Sequence, residues 1–342
     1  MKIGILTGGG DCPGLNPTIR AITRKALEEN NQIIGIKYGW KGLLERDYVE
    51  LDLSSISGIL PKGGTILKTS RTNPYKRENG AKIVKENFSD LELDALIAIG
   101  GDDTLGVAVR LYKEERLNIV GVPKTIDNDL SATDFTFGFD TAVSIATECI
   151  DRLHTTAESH NRVMVAEVMG RHAGWIATYA GLAGGADFIL IPEIPIDIDE
   201  ICQAIKRRQE RGKNFSIIVV AEGAKFKDES LVVQEKKTDE FGHVRLGGIG
   251  QVLAKLIEEK TGLETRVTVL GHIQRGGTPT AFDRILATRF GIKAYQMVKE
   301  KKFGYMCALK GNEIVEVPLE EATGKLKTVD LNLYEIAKTF FG

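Results

Sequence analysis

Residues 98–106 read AIGGDDTLG, an apolar run that ends in two glycines and two adjacent aspartates. A short, continuous apolar run closed by glycine reads as a strand buried on both faces, with the acidic residues opening the element that follows. The same design recurs along the chain. KIGILTG, QIIGIKYG, ALIAIGG, NIVGVPK, RVMVAEVMG, DFILIPE, SIIVVAEG and RVTVLGH are strand-like. Between them lie amphipathic stretches such as PTIRAITRKALEEN, DTAVSIATECIDRLHTTAE, IDEICQAIKRRQERG and GGIGQVLAKLIEEKTG. That alternation predicts an α/β fold of mainly parallel sheet covered by helices on both faces. At 342 residues the length prior is about two domains. With no Pro- or Ser-rich linker between them, two domains must pack closely, and the chain is free to cross between them more than once.

Composition narrows the class. The formal charge is −2, from 45 basic and 47 acidic side chains, which argues against a nucleic-acid or membrane-surface partner. Cys12, Cys149, Cys202 and Cys307 are far apart, with no C-x-x-C pair, and read as reduced thiols. MKIGILT (1–7) enters a strand at once, so no signal peptide is expected, and no apolar run approaches the length of a membrane span. The expected location is the cytoplasm.

The strand ends carry the chemistry: TGGGDCPG, AIGGDDT, EVMGRHAGW, AEGAK and LGHIQRGG each end on glycine beside a charged group. Ligands of open α/β sheets bind beyond the carboxyl ends of the strands, where glycine lets backbone N–H groups approach an anion. Any one of these loops is better explained as a tight turn; five together favour a phosphate site. There is no G-x-x-x-x-G-K-[ST] and no G-x-G-x-x-G with an acid closing the next strand. Neither an H-E-x-x-H helix nor a G-x-S-x-G elbow is present.

Phosphoryl transfer to an alcohol needs a cradle, a divalent metal, cations and a base. VPKTIDNDL (122–130) supplies a candidate base in Asp127 or Asp129, with Thr125 and Asn128 as hydrogen-bond partners and Lys124 as a local cation. D-N-D is also ordinary turn chemistry. Arg71, Arg162, Arg171, Arg266 and Arg275 stand beside strand ends or glycine turns, with His272 near the last. Arginine is the preferred bidentate partner of phosphate, although a lone arginine is ordinarily a solvated surface group. Glu222 closes SIIVVAEG and is placed to accept hydrogen bonds from a sugar or to cap a turn.

In order and spacing, TGGGDCPGLNPTIR, GGDDT, PKTIDND, NRVMVAEVMGRHAGW, AEG and LGHIQRGG resemble the 6-phosphofructokinases. The resemblance runs from Lys2 to roughly residue 320. It implies two Rossmann-like domains. The larger, 1–138 plus about 253–303, would take the phosphoryl donor and carry the base. The smaller, 139–252 plus about 304–320, would take fructose 6-phosphate, leaving an extension at about 321–342. It further implies Mg²⁺ and a homotetramer or homodimer whose sugar-phosphate sites are shared between subunits.

Residue by residue, the resemblance makes Asp127 the base for the 1-hydroxyl of fructose 6-phosphate, supported by Thr125 and Asp129. Arg171 becomes a cation near the transferring group, with Met169 and Gly170 lining the sugar. Arg162 and Arg266 would reach the 6-phosphate across the subunit interface, and Glu222, His272 and Arg275 make the remaining contacts. Gly10, Arg71 and the loop Gly101, Asp102, Asp103 and Thr104 fall on the donor side, with Asp102 as the magnesium ligand.

One departure bears on the donor. The bacterial ATP-dependent pattern resembles GGDGS and PGTIDND, whereas Asp103 and Lys124 replace the two glycines here. A carboxylate at 103 occupies the space of an ATP α-phosphate and repels it. At ~4 Å and an intermediate dielectric, two like charges cost on the order of 4 kcal/mol, roughly a thousandfold in affinity. Pyrophosphate lacks that phosphate. Within the family the Asp-plus-Lys pair marks pyrophosphate-dependent members, whereas Lys124 alone also occurs in ATP-dependent relatives. Asp103 is otherwise a favourable helix N-terminal acid. The sequence therefore predicts a pyrophosphate-dependent or mixed-substrate enzyme. The alternatives are an ATP-dependent enzyme and a non-catalytic sugar-phosphate sensor on the same scaffold.

Overall fold

The structure is a computed structural model and describes residues 1–228, 230 and 246–342. The strands in chain order are β1 (Lys2–Thr7), β2 (Gln32–Ile36), β3 (Tyr48–Leu51), β4 (Ala95–Gly100), β5 (Ile119–Pro123), β6 (Val163–Val168), β7 (Phe188–Leu190), β8 (Ser216–Ala221), β9 (Thr265–Val269), β10 (Tyr305–Lys310) and β11 (Glu313–Pro318). They form a seven-stranded sheet, β11-β10-β5-β4-β1-β2-β3, and a four-stranded sheet, β7-β8-β6-β9. Among the described strands, pairing is parallel except at β2–β3 and β10–β11. The fold class is the α/β architecture of mainly parallel sheets that the sequence predicted.

The continuous apolar runs become the central strands for a simple reason. Every residue of β4, β5, β6 and β8 is buried, so these strands are covered on both faces. Each fully buried Ile or Leu contributes roughly 1.5–3 kcal/mol. Ile97 and Val122 of the first sheet, Val168 and Val219 of the second, and Phe137 and Phe290 between them share one apolar core. The two lobes are therefore packed against each other without a linker.

Sheet membership moves two of the expected domain boundaries. The expectation put 253–303 with the larger lobe, but β9 pairs with β6 in the four-stranded sheet, Val163 opposite Thr265. Only the helix Ala281–Lys299 returns to the first lobe, where Gly291 lies against Ala21 of the helix Leu15–Glu28. The expectation put 304–320 with the smaller lobe, but β10 pairs with β5, Met306 opposite Gly121. A missing side chain leaves room for this pairing: a Cβ on Gly121 would lie 2.4 Å from Leu319 Cδ2 and 2.9 Å from Met306 Cβ. The chain thus crosses between lobes after β5, after β9 and again after β11.

That last crossing resolves the segment at 321–342. Its helix Leu331–Lys338 docks on the four-stranded sheet, where the Tyr334 hydroxyl donates to Ile189 O at 2.8 Å. No described helix is long and apolar enough to cross a membrane.

Topology also places the ligand-binding crevice. β1 and β4 are neighbours, yet the chain leaves β1 toward β2 and β4 toward β5. The loops at their carboxyl ends diverge and leave a gap there.

Candidate active site

The carboxyl ends of both sheets face one cleft. The seven-stranded lobe contributes Gly9 and Gly10 after β1, Arg71, Gly101 to Thr104 after β4, and Lys124, Thr125, Asp127 and Asp129 after β5. The four-stranded lobe contributes Arg171 after β6 and Arg275 after β9.

The glycines act by absence. A Cβ on Gly8 would lie 2.6 Å from Thr104 Oγ1, and one on Gly10 would lie 2.7 Å from Arg275 Nη1. Bare backbone at Gly10 is what admits an arginine from the other lobe, and Arg275 Nη1 reaches Asp11 O at 3.4 Å. Thr104 is buried between the β1 and β4 loops. Asp102 and Asp103 occupy the first turn of the helix Asp102–Glu115, where the helix dipole favours acids. The Asp102 carboxylate is exposed at the rim and accepts a hydrogen bond from Gly324 N at 3.3 Å.

Lys124 lies across the floor of this loop pair. Its backbone N–H donates to Gly100 O at 3.0 Å, and its ammonium donates to Gly10 O. The side chain is 3% exposed, and burial pushes its pKa down. It is therefore a desolvated cation directly beneath the first glycine loop.

Asp127 is 3% exposed and has one carboxylate oxygen, Oδ1, without a hydrogen-bond partner. Its backbone N–H donates to Thr125 Oγ1 at 3.0 Å, which fixes the turn. Asn128 takes the left-handed conformation, φ 51°, so that Asp127 and Asp129 both reach the cleft. Burial, and then the charge of Asp127, raise the Asp129 pKa, while Arg171 opposes the rise.

Arg171 is also left-handed, at φ 54°, and its N–H donates to Glu222 Oε1 at 3.2 Å. Non-glycine residues in that region store strain and cluster at functional sites. Glu222 stands behind Arg171, and burial followed by the charge of Asp127 pushes its pKa up to about 7.

Of the residues singled out from the sequence, Gly10, Arg71, Gly101, Asp102, Asp103, Thr104, Lys124, Thr125, Asp127, Asp129, Arg171 and Arg275 line this cleft. Met169 and Gly170 lead into it, Met169 half-buried against the core and Gly170 at φ 142°. His272 is exposed and does not line it. Arg162 and Arg266 are elsewhere in this chain: Arg162 immediately precedes β6 and Arg266 is the second residue of β9, at the strand ends opposite the cleft. Arg162 Nε is 2.6 Å from Glu264, and Arg266 pairs with the same carboxylate. Sequence reasoning missed Gly9, which the GGG run itself signals, and Gly324, for which the sequence carries no local signal.

A match to the phosphofructokinase family model spans residues 2–298. This chain belongs to the phosphofructokinase family. It is 59% identical over 343 residues, covering 100% of both chains, to a pyrophosphate--fructose 6-phosphate 1-phosphotransferase of Streptomyces coelicolor. It is 53% identical over 344 residues, covering 100% of this chain and 99% of the other, to an ATP-dependent 6-phosphofructokinase of Corynebacterium efficiens. The fold matches that of a pyrophosphate-dependent phosphofructokinase of Nitrosospira multiformis, with a TM-score of 0.85 at 21% identity over 97% of this chain and 86% of that one.

Proposed function

We propose that this phosphofructokinase-family protein transfers a phosphoryl group from pyrophosphate to the 1-hydroxyl of fructose 6-phosphate. The products are fructose 1,6-bisphosphate and phosphate. The observation that carries the donor assignment is Asp103 on the cleft wall, with the desolvated Lys124 on the same cleft. A nucleotide's α-phosphate would meet the Asp103 carboxylate, whereas a two-phosphate donor ends before it. Names of relatives lean the same way, and the Corynebacterium name keeps an ATP-dependent reading as the rival.

Asp127 accepts the proton of the 1-hydroxyl as that oxygen bonds to the transferred phosphorus, and the bridging P–O bond of pyrophosphate breaks. The unpartnered Oδ1 of Asp127 provides a ready acceptor. Arg171 and Lys124 balance charge on the transferring and leaving phosphates. Glu222, with its pKa raised to about 7, orients the sugar and holds the Arg171 backbone.

The donor set fits Mg²⁺, which prefers one or two carboxylates completed by phosphate oxygens and water. Asp102 would hold it at the rim, and Asp129, crowded against Asp127, lies in the same cleft. Bound there, Mg²⁺ would neutralise phosphate charge.

We further propose that the protein is cytoplasmic and self-associates as a homodimer or homotetramer. Arg162 and Arg266 would then serve the 6-phosphate of a neighbouring subunit. Val269, Ile273, Phe282 and Ile285 support this by exposing large apolar side chains on one stretch of chain, Ile285 at 61%.

Initial rates with pyrophosphate and with ATP, at matched magnesium and fructose 6-phosphate, test the proposal. Pyrophosphate preference is expected. A clear ATP preference transfers the assignment to the rival, and absence of either activity returns the scaffold to a sensor role.

A further inference from the structure

We propose that Lys327 is a positioning residue for the catalytic turn, holding residues 127–129 in their working geometry from 199 positions further along the chain. The proposal rests on Asp127 as the base. Lys327 donates from its ammonium to Asn128 Oδ1 at 3.2 Å, to Thr133 O at 2.9 Å and to Asp134 O at 2.8 Å. Those three bonds use all three donors of the group. Its backbone N–H donates to Asp129 O at 2.9 Å, and Leu326 makes a bridge with Leu130. One residue therefore grips the two residues that follow Asp127, and Asn128 needs the grip because it is left-handed.

The other side of Lys327 belongs to the second lobe. Its carbonyl accepts from Trp175 Nε1 at 2.8 Å, and its ammonium lies 5.2 Å from the centre of that ring. Trp175 begins the helix Trp175–Ala183, four residues after Arg171. Two positions on, Val329 N–H donates to Glu193 Oε1 at 2.9 Å, and Glu193 also accepts from Gly174 N at 3.0 Å. With Gly324 N–H on Asp102, the segment 324–329 touches the metal-side acid, the base turn and the turn that carries Arg171. Lys327 is absent from the cleft wall, so it acts through Asn128 and Asp129 and not on the phosphates.

Loss of the ammonium leaves three acceptors without their charged donor and frees the turn to relax. A catalytic group displaced by about 1 Å costs up to roughly a hundredfold in rate. In the full-length enzyme, Lys327→Met is expected to lower kcat about 10- to 100-fold. KM for pyrophosphate and for fructose 6-phosphate should change less than about threefold. Lys327→Arg should recover most of the lost rate.

Asn128→Ala should lower kcat similarly, and the double variant should be no worse than the poorer single one, because both break one unit. If Lys327→Met proves insoluble, Lys327→Gln, which keeps two amide donors, is read in the same way. A kcat within twofold of the parent in Lys327→Met or its substitute, or additive losses in the double variant, overturns the proposal. An Asp127→Asn control separates the two readings. If it keeps full turnover, the assigned base is wrong; if it is inactive while Lys327→Met is not, only the positioning role falls.

Discussion

At the scale of residues, the cleft sets acids close together and leaves one of them short of partners. Asp103 provides the sharpest handle on that arrangement. Asp103→Gly is expected to move the ratio of kcat/KM for pyrophosphate over ATP toward ATP by about two to three decades, the size of one like-charge contact at intermediate dielectric. Coupled assays with each donor measure it, and an unchanged ratio would reduce Asp103 to a helix-terminal acid.

Glu222 gives a pH signature. Its folded pKa of about 7 lies above its ordinary 4.5, so between those values the folded chain holds a proton that the unfolded chain has released. Stability from this group therefore falls as pH rises from 4.5 toward 7, by on the order of 2 kcal/mol. Urea midpoints at pH 5 and pH 7 should differ less in Glu222→Gln than in the parent.

Most of these side chains were legible because each stands within a few positions of a glycine-closed strand, where backbone geometry forces it toward the cleft. Lys327 was not. Nothing in TGKLK signals a partner 199 positions away, and only folding brings the two together.

At the scale of elements, the turn after β6 is held against the turn after β8 by a glycine. A Cβ on Gly223 would lie 1.7 Å from Arg171 O, so the two turns touch through bare backbone. Gly223→Ala must push Arg171 out of its left-handed seat. The expected result is a loss of about 10- to 100-fold in kcat/KM, with about 1–3 kcal/mol lost in stability. Steady-state kinetics and thermal melts check both, and parent-like kinetics would mean that the turns can part without consequence.

Elements also mark where periodicity stops being informative. The central strands declare themselves as unbroken apolar runs because they are covered on both faces. β11 is the edge of the seven-stranded sheet and only partly buried, and β10 beside it offers just the short apolar run MCAL between Tyr305 and Lys310, so both are weak signals. Their signal is the Gly311-Asn312 pair between them, with Gly311 at φ 57°, a two-residue hairpin turn. Pairing of Met306 with Gly121 then assigns the hairpin to a lobe, and that contact has no counterpart in local pattern.

At the scale of the molecule, repeated crossings and a shared core make the lobes interdependent. The helix Ala281–Lys299 packs with the first lobe only after β9 has joined the second. The two tryptophans sit in different apolar clusters, Trp40 in that of the first lobe and Trp175 in the shared core. Urea unfolding followed by Trp40 alone in Trp175→Phe, and by Trp175 alone in Trp40→Phe, should give each variant the same midpoint by fluorescence and by circular dichroism. Separate transitions would show that the lobes unfold independently.

The long reach of Lys327 sets the order in which a newly made chain can become active. Nascent polypeptides fold roughly from their amino end as they emerge. Asp102, Asp127 and Arg171 are all synthesised well before the segment that ties them together. A chain that ends before residue 324 therefore holds Asp102, Asp127 and Arg171 and lacks the bonds that tie their turns together.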